Sequence, residues 1–395
     1  VKPSRLAVVV SHPIQYYAPL WRALAREPAL DLHVLFATRI GLDVTFDAEM
    51  KTALAWATDL TAGYSHEFLP EAGRFQRTGF HLDNPSVGPA LARFCPDAVI
   101  LHGYASRTLL RALVWCKLNG ARALLMADSS GDRAPSGWRR RIKRLFLPRL
   151  LNRYDAALTM GDRSEAHLAS LGFARARMFR TPAMMDEAFW AARRERARLR
   201  AETRVALRIG ERDFVVLAAA KLSPRKRIGD LVAACAGLGA RLLIAGDGEE
   251  RSGLERQAAE AGVDARFLGF VNLDRLPALY AAADVFVHPA ENEPYGMVAV
   301  EAAIVGLPLV FTDETGAVGP SSIARPGENT LVFRRGDVAA LAAHLKGFRD
   351  DPALRAHMAA KSLLLSQDHD GRSSVSAVLA AASLKKASPG DLPTR

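Results

Sequence analysis

Short apolar runs, too brief to be helices, alternate with stretches of helical periodicity along almost the whole chain. In the first half the strand-like runs are Leu6–Ser11, Leu30–Thr38, Ala98–Tyr104, Arg122–Ser129, Ala156–Gly161 and Met178–Pro182, with helical patterns such as Gln15–Arg26, Arg107–Lys117 and Trp138–Arg153 between them. A charged stretch, Phe189–Arg212, containing RRERARLR breaks the rhythm and reads as an exposed linker or a helix bridging two domains. A second series follows, with strands expected at Phe214–Ala220, Arg241–Ala245, Ala265–Leu268, Val285–Pro289 and Pro308–Thr312. Such alternation builds a parallel sheet with helices on both faces, and 395 residues are too many for one core.

The expected fold class is therefore α/β, with two Rossmann-like doubly wound domains facing across a cleft. The first spans 1–188, a charged linker 189–212, and the second domain 213–368. Residues 369–395 are expected to form a helix, which can return to the first domain, and a tail. In sheets of this kind ligands bind beyond the carboxyl ends of the strands, so the cleft is where chemistry is sought.

Composition narrows the function classes. Nearly half the residues are hydrophobic and a quarter charged, a globular composition. Cys95, Cys116 and Cys235 are odd in number and widely spaced, which fits neither a disulfide framework nor a zinc site and suits a reducing cytoplasm. The first apolar run is too short for a secretory signal, and no stretch reaches the uncharged length of a membrane helix. Residues 1–190 carry 25 Lys/Arg against 17 Asp/Glu, a net +8 of the total +11. That excess points to an anionic partner such as a membrane surface, a nucleic acid or an acidic glycan, with the inner face of the cell membrane a candidate location; the alternative is an Arg-rich surface with no partner.

The most informative motif is HPAENEPYGMVAVEAAIVGLPLVFTDETG, His288–Gly316. A strand ends at His288, and a helix is expected from about Pro294, with free amides including that of Gly296 facing an anion. Glu293 would stand at the helix mouth and Glu301 roughly 12 Å along the axis at 1.5 Å per residue, a spacing suited to hydroxyls at the two ends of a nucleotide-sugar. Upstream, AAAKLSPRKRIGDLVAA places Lys221 and Lys226 five residues apart across a strand–helix turn, where two cations can converge on a diphosphate. Arg225 and Arg227 read better as solvated neighbours. Gly246-Asp247-Gly248 lacks the third glycine of a dinucleotide fingerprint.

Taken in order, these segments of about 214–347 resemble the donor domain of retaining GT-B glycosyltransferases of the family 4, or group 1, kind. The resemblance implies that Glu293 meets the transferred sugar and Glu301 the ribose, with Tyr295, Gly296 and Met297 beside them. Lys221 and Lys226 would hold the diphosphate, and Gly269, Phe270 and Val271 the nucleotide base. Lys221 stands where the family usually has arginine, keeping the charge but not the fork. The resemblance also implies a metal-independent, retaining transfer from a nucleoside-diphosphate sugar, without cofactor, to a hydroxyl acceptor that is a glycan, a lipid-linked sugar or a small molecule. No nucleic-acid partner is expected.

The first domain is less explicit. His12, Gln15 and Tyr16, in SHPIQYYAPLWRALA, are expected at the cleft edge, as is His102 in LHGY. Asp128 falls where many relatives carry a catalytic histidine, and would either deprotonate the acceptor or orient a sugar hydroxyl. Trp138–Arg153 combines apolar residues with seven basic ones, a pattern that fits an ordinary packed helix and leaves membrane contact open for the arginines. Asp368-His369-Asp370 lies in a polar break and is not expected to bind metal. Two other readings compete: a nucleotide-sugar epimerase on the same architecture, and a non-catalytic sugar-nucleotide-binding or membrane-associated protein.

Overall fold

A computed structural model describes residues 3–42, 45–47, 52–54, 59–127 and 146–383. Two parallel sheets organise them. The first has seven strands in the order His66–Phe68, Leu30–Phe36, Ser4–Val10, Ala98–His102, Arg122–Ala127, Ala156–Thr159 and Met178–Arg180. The second has six, in the order Asp264–Phe267, Arg241–Ala245, Val215–Ala219, Val285–His288, Leu309–Thr312 and Thr330–Phe333. Both central strands, Ser4–Val10 and Val215–Ala219, are almost wholly buried because helices cover each face, which is why they read as unbroken apolar runs.

In each sheet the chain moves outward from its first strand to one edge, then restarts beside that strand on the other side. The reversal leaves a crevice between Ser4–Val10 and Ala98–His102 in one domain, and between Val215–Ala219 and Val285–His288 in the other. The two crevices face each other.

The stretch 189–212 is charged but is not an exposed tether. Helices Glu187–Arg194 and Arg196–Ala206 pack against the second domain. Arg196, Arg200 and Arg204, four residues apart and so on one helix face, turn inward. Arg196 donates to the Gly306 carbonyl, while Arg200 and Arg204 reach the Ala282 carbonyl and share Asp284 at 2.6 and 2.8 Å. The guanidinium groups satisfy carbonyls left open where helices Leu276–Ala282 and Val298–Val305 end.

Helix Arg372–Ser383 packs on the first sheet. Its Ser374 hydroxyl donates to the Pro182 carbonyl at 2.6 Å, and the His369 ring bonds Ala183 O at 2.7 Å. The Asp-His-Asp triplet is thus tied to backbone and, through Asp370, to Arg372.

A polar contact joins the domains beside the cleft. The Asp162 carboxylate, in the first turn of helix Asp162–Ser170, accepts from the Ser321 amide at 2.8 Å, the Ser322 hydroxyl at 2.9 Å, the Ser321 hydroxyl, and Arg180 at 2.7 Å. Arg180 also holds Glu165 and the Ser321 carbonyl. Burial alone would raise the Asp162 carboxyl, but these donors hold it well below the usual range.

Candidate functional site

A cavity of about 520 Å³ lies between the facing crevices. The first domain contributes Ile14, Gln15, Tyr16, Tyr17, His102 and Met160 to its wall. The second contributes the strand end and turn at Ala219–Lys221, then Arg225 and Lys226, the Phe270–Val271 loop, and His288 with Glu293 through Val298 and Glu301. Most of the donor residues expected from sequence therefore meet in one place.

Glu293 is the centre of a charged cluster. Its Oε2 accepts from Lys226 Nζ, lies 3.3 Å from His288 Nε2 and is 3.8 Å from an Arg225 nitrogen. Burial opposes its ionisation, yet the His288 contact and the Lys226 charge outweigh it and hold the carboxyl well below the usual range. Burial, more than any neighbour, lowers the His288 imidazole, so it is neutral at pH 7. A carboxylate only accepts, so the contact requires the Nε2–H tautomer of His288.

The local geometry differs from the expected helix mouth. The helix starts at Val298, not near Pro294, and Glu293 precedes it in a loop. The glutamates are therefore not stacked along one axis at the helical rise. Gly296 at φ +91° and a bridge from Glu293 to Thr315 hold the loop against the 313–317 turn instead. The Gly316 amide donates to Glu293 O at 2.9 Å and the Ala317 amide to Tyr295 O at 2.6 Å. A Cβ on Gly316 would stand 1.9 Å from the Pro294 carbonyl oxygen, so only glycine permits that approach.

Glu301 is 1% exposed, yet it borders the cavity. Tyr280 donates to its Oε2 at 2.6 Å, and Oε1 is buried without a hydrogen-bond partner. Burial pushes its carboxyl up to about 7 against the opposing influence of Tyr280 and of Tyr16 across the cleft. Gln15 Oε1 and Arg225 Nη1, also on the cavity wall, are likewise buried without hydrogen bonds. Unmet polar atoms are costly when buried; the two acceptors, with Arg225 Nη1 at ion-pair rather than hydrogen-bonding distance from Glu293, leave the cavity wall with capacity for hydroxyl donors and for an anionic group.

The other expected residues divide. Gln15, Tyr16, His102, Lys221, Phe270, Val271, Tyr295, Gly296 and Met297 line the cavity. Gly269 stands just outside, its carbonyl accepting from the Gly246 amide at 2.7 Å, which fixes the loop that carries Phe270. His12 is also absent from the wall; its Nδ1 bonds Ser11 Oγ at 2.8 Å, and burial followed by the His102 charge lowers it to about 4. Asp128 lies outside the described residues, as does Trp138–Leu145 of the basic stretch; in the rest, Leu147 and Leu151 are buried and Phe146 is exposed.

Arg225 and His288 were not singled out from sequence. A single 3-10 turn, Pro224–Lys226, carries both Arg225 and Lys226 to the cavity wall, where a solvated turn was expected. His288 ends a central strand at the switch point, and that position was the available signal.

The paired sheets and their facing switch points define a GT-B fold. HepE of Anabaena, crystallised with UDP, superimposes with a TM-score of 0.72 at 17% identity, covering 95% of this chain and 98% of that one. Within this fold, residues 200–363 match the family model of glycosyl transferases group 1. The 2-deoxystreptamine glucosyltransferase of Streptomyces kanamyceticus is 39% identical over 119 residues, 28% of each chain. The D-inositol 3-phosphate glycosyltransferase of Salinispora arenicola is 32% identical over 226 residues, 53% of this chain and 46% of its own. The alignments thus span less than half the length of these curated relatives.

Proposed function

We propose that this chain is a family 4 type glycosyltransferase, moving a sugar from a nucleoside-diphosphate donor to a hydroxyl acceptor with retention of configuration and without a metal ion. The observation that carries this reading is the set of unmet polar atoms of Gln15, Arg225 and Glu301 around the interdomain cavity, beside Lys221, Lys226 and Glu293. Glu301 Oε1 would accept from the ribose, and Glu293, kept ionised by its neighbours, from the transferred sugar. Lys221, Lys226 and Arg225 would take the diphosphate, so that the bond from the anomeric carbon to phosphate breaks as the negative charge meets three cations. The acceptor oxygen bonds the same carbon from the same face and its proton passes to the leaving phosphate. HepE, seen with UDP and with UDP-glucose, supports a nucleotide-sugar donor.

The acceptor would enter from the side of Gln15, Tyr17 and His102, with a glycan, a lipid-linked sugar or a small molecule as candidates. No helix among the described residues is long and apolar enough to cross a membrane, which leaves the peripheral contact suggested by the basic first domain as part of the proposal.

A thermal-shift screen with UDP-, GDP-, ADP- and dTDP-sugars tests the reading. One donor is expected to raise the melting temperature, by about 2.7 kcal/mol of stabilisation at a hundred times its Kd, and Lys226→Ala or Glu293→Ala to abolish turnover. No shift with any donor, or full activity in both variants, would overturn it. Products formed with and without acceptor separate a transferase from an epimerase.

A further inference from the structure

Glu301 has two oxygens in different circumstances. Oε2 is engaged by the Tyr280 hydroxyl, from helix Leu276–Ala282 of the same domain. Oε1 is the buried acceptor without a partner, and the residue borders the cavity. Tyr280 is itself fully buried, its ring wedged between Phe189 and Phe286 at 5.8 and 5.3 Å between centroids, so its hydroxyl cannot swing away. On the other side stands Tyr16, in the Ile14–Tyr17 turn of the opposite domain, which lines the same cavity and lies near enough for its phenol to act on the Glu301 carboxyl.

We infer that Tyr280 and Tyr16 are positioning residues for Glu301: Tyr280 fixes the carboxylate so that Oε1 faces the donor, and Tyr16 adds a second phenol only when the domains face each other closely. This rests on the donor site proposed above and extends it. Donor binding and domain closure are then linked through one carboxylate, because a closed cleft brings Tyr16 to Glu301 and an open one withdraws it.

The ionisable groups around Glu301 support the arrangement. From its own domain Tyr280 favours the carboxylate, and from the opposite domain Tyr16 does the same, both against burial. Glu293, in the loop before the helix, acts on Tyr16. Arg225, Lys221, Lys226, His288 and His102 stand elsewhere on the cavity wall. Glu301 carries its charge only above about pH 7, so donor affinity should fall as pH drops through that value. Without either phenol the carboxyl rises further, and the midpoint of that fall moves to higher pH.

The test is calorimetric titration of the stabilising nucleotide-sugar from pH 5.5 to 9 with wild type, Tyr280→Phe, Tyr16→Phe and Glu301→Gln. Tyr280→Phe is expected to weaken donor binding about tenfold at pH 7, close to the lower end of the effect of a lost hydrogen bond to a charged group, and to move the midpoint upward. Tyr16→Phe should move it the same way by less. Because Tyr16 lies at the cleft rather than in a core, this variant answers the question if Tyr280→Phe fails to fold. Glu301→Gln should bind weakly with the pH response gone. A wild type that binds no donor overturns the function itself. A wild type that binds with a pH response lost in Glu301→Gln, but unmoved in Tyr16→Phe and in any folded Tyr280→Phe, overturns this inference alone.

Discussion

Replacing Asp162 by alanine removes the acceptor at the centre of the contact between the domains. Four donors lose a carboxylate oxygen: the Ser321 amide and hydroxyl, the Ser322 hydroxyl and Arg180. Hydrogen bonds to a charged group contribute about 1.5–3 kcal/mol each, but the losses here are not additive. Arg180 keeps Glu165 and the Ser321 carbonyl, and the Asp162 side chain is 20% exposed, so water can replace part of what is removed. A net cost of about 2–4 kcal/mol to the closed arrangement follows, roughly a 30- to 1000-fold shift towards open forms. Asp162→Ala should enlarge the radius of gyration of the donor-free protein in small-angle X-ray scattering and weaken donor binding, while the secondary structure of both domains is retained. The sign with pH is fixed as well. A carboxyl whose folded value is depressed stabilises fully above its unfolded value, near 4, and loses that contribution as pH falls. Unchanged scattering together with donor affinity within twofold of wild type would refute the assignment of this contact as the one that holds the cleft.

Arg204 is 4% exposed and donates to the Ala282, Gly210, Glu211 and Asp213 carbonyls as well as to Asp284, which keeps Arg200, so Arg204→Ala should destabilise the protein by about 2–3 kcal/mol in urea unfolding through the acceptors left unpaired; a change under 1 kcal/mol would show that these bonds are dispensable. Gly316→Ala should displace the Glu293 loop, because its methyl would meet the Pro294 carbonyl, and should reduce nucleotide-sugar affinity at least tenfold by calorimetry; wild-type affinity would mean that the loop is not what positions Glu293.

Much of the fold could be read from sequence because its sheets are parallel and buried. Runs such as Leu6–Ser11 and Arg241–Ala245 have no polar alternation to confuse them, and their observed strands, Ser4–Val10 and Arg241–Ala245, agree within two residues. Of the four edge strands in the two parallel sheets, Met178–Arg180 and Asp264–Phe267 were expected at Met178–Pro182 and Ala265–Leu268, while the other two gave no comparable signal. His66–Phe68 and Thr330–Phe333 are three and four residues long and partly exposed, so neither length nor periodicity marks them. The charged stretch near residue 200 misleads for a different reason: arginines spaced by four look solvated in a sequence, but here they meet helix ends that only the folded second domain presents.

For the site, the order and spacing of Lys221, Lys226, Glu293 and Glu301 were enough to bring a donor site to mind, because these residues follow strand ends within one domain and local chain geometry carries them to one crevice. The start of the helix at Val298 was not readable, since it depends on Gly296 and on the 313–317 turn packing against the loop. Nor could sequence place Tyr16 beside a glutamate 285 positions away, or leave Gln15, Arg225 and Glu301 with unmet atoms around a shared cavity. Those relations arise from how two separate cores are set against each other. Contacts such as Asp162 with Ser321 and Ser322 decide that, and their partners are distant in the chain and leave no periodic trace in it.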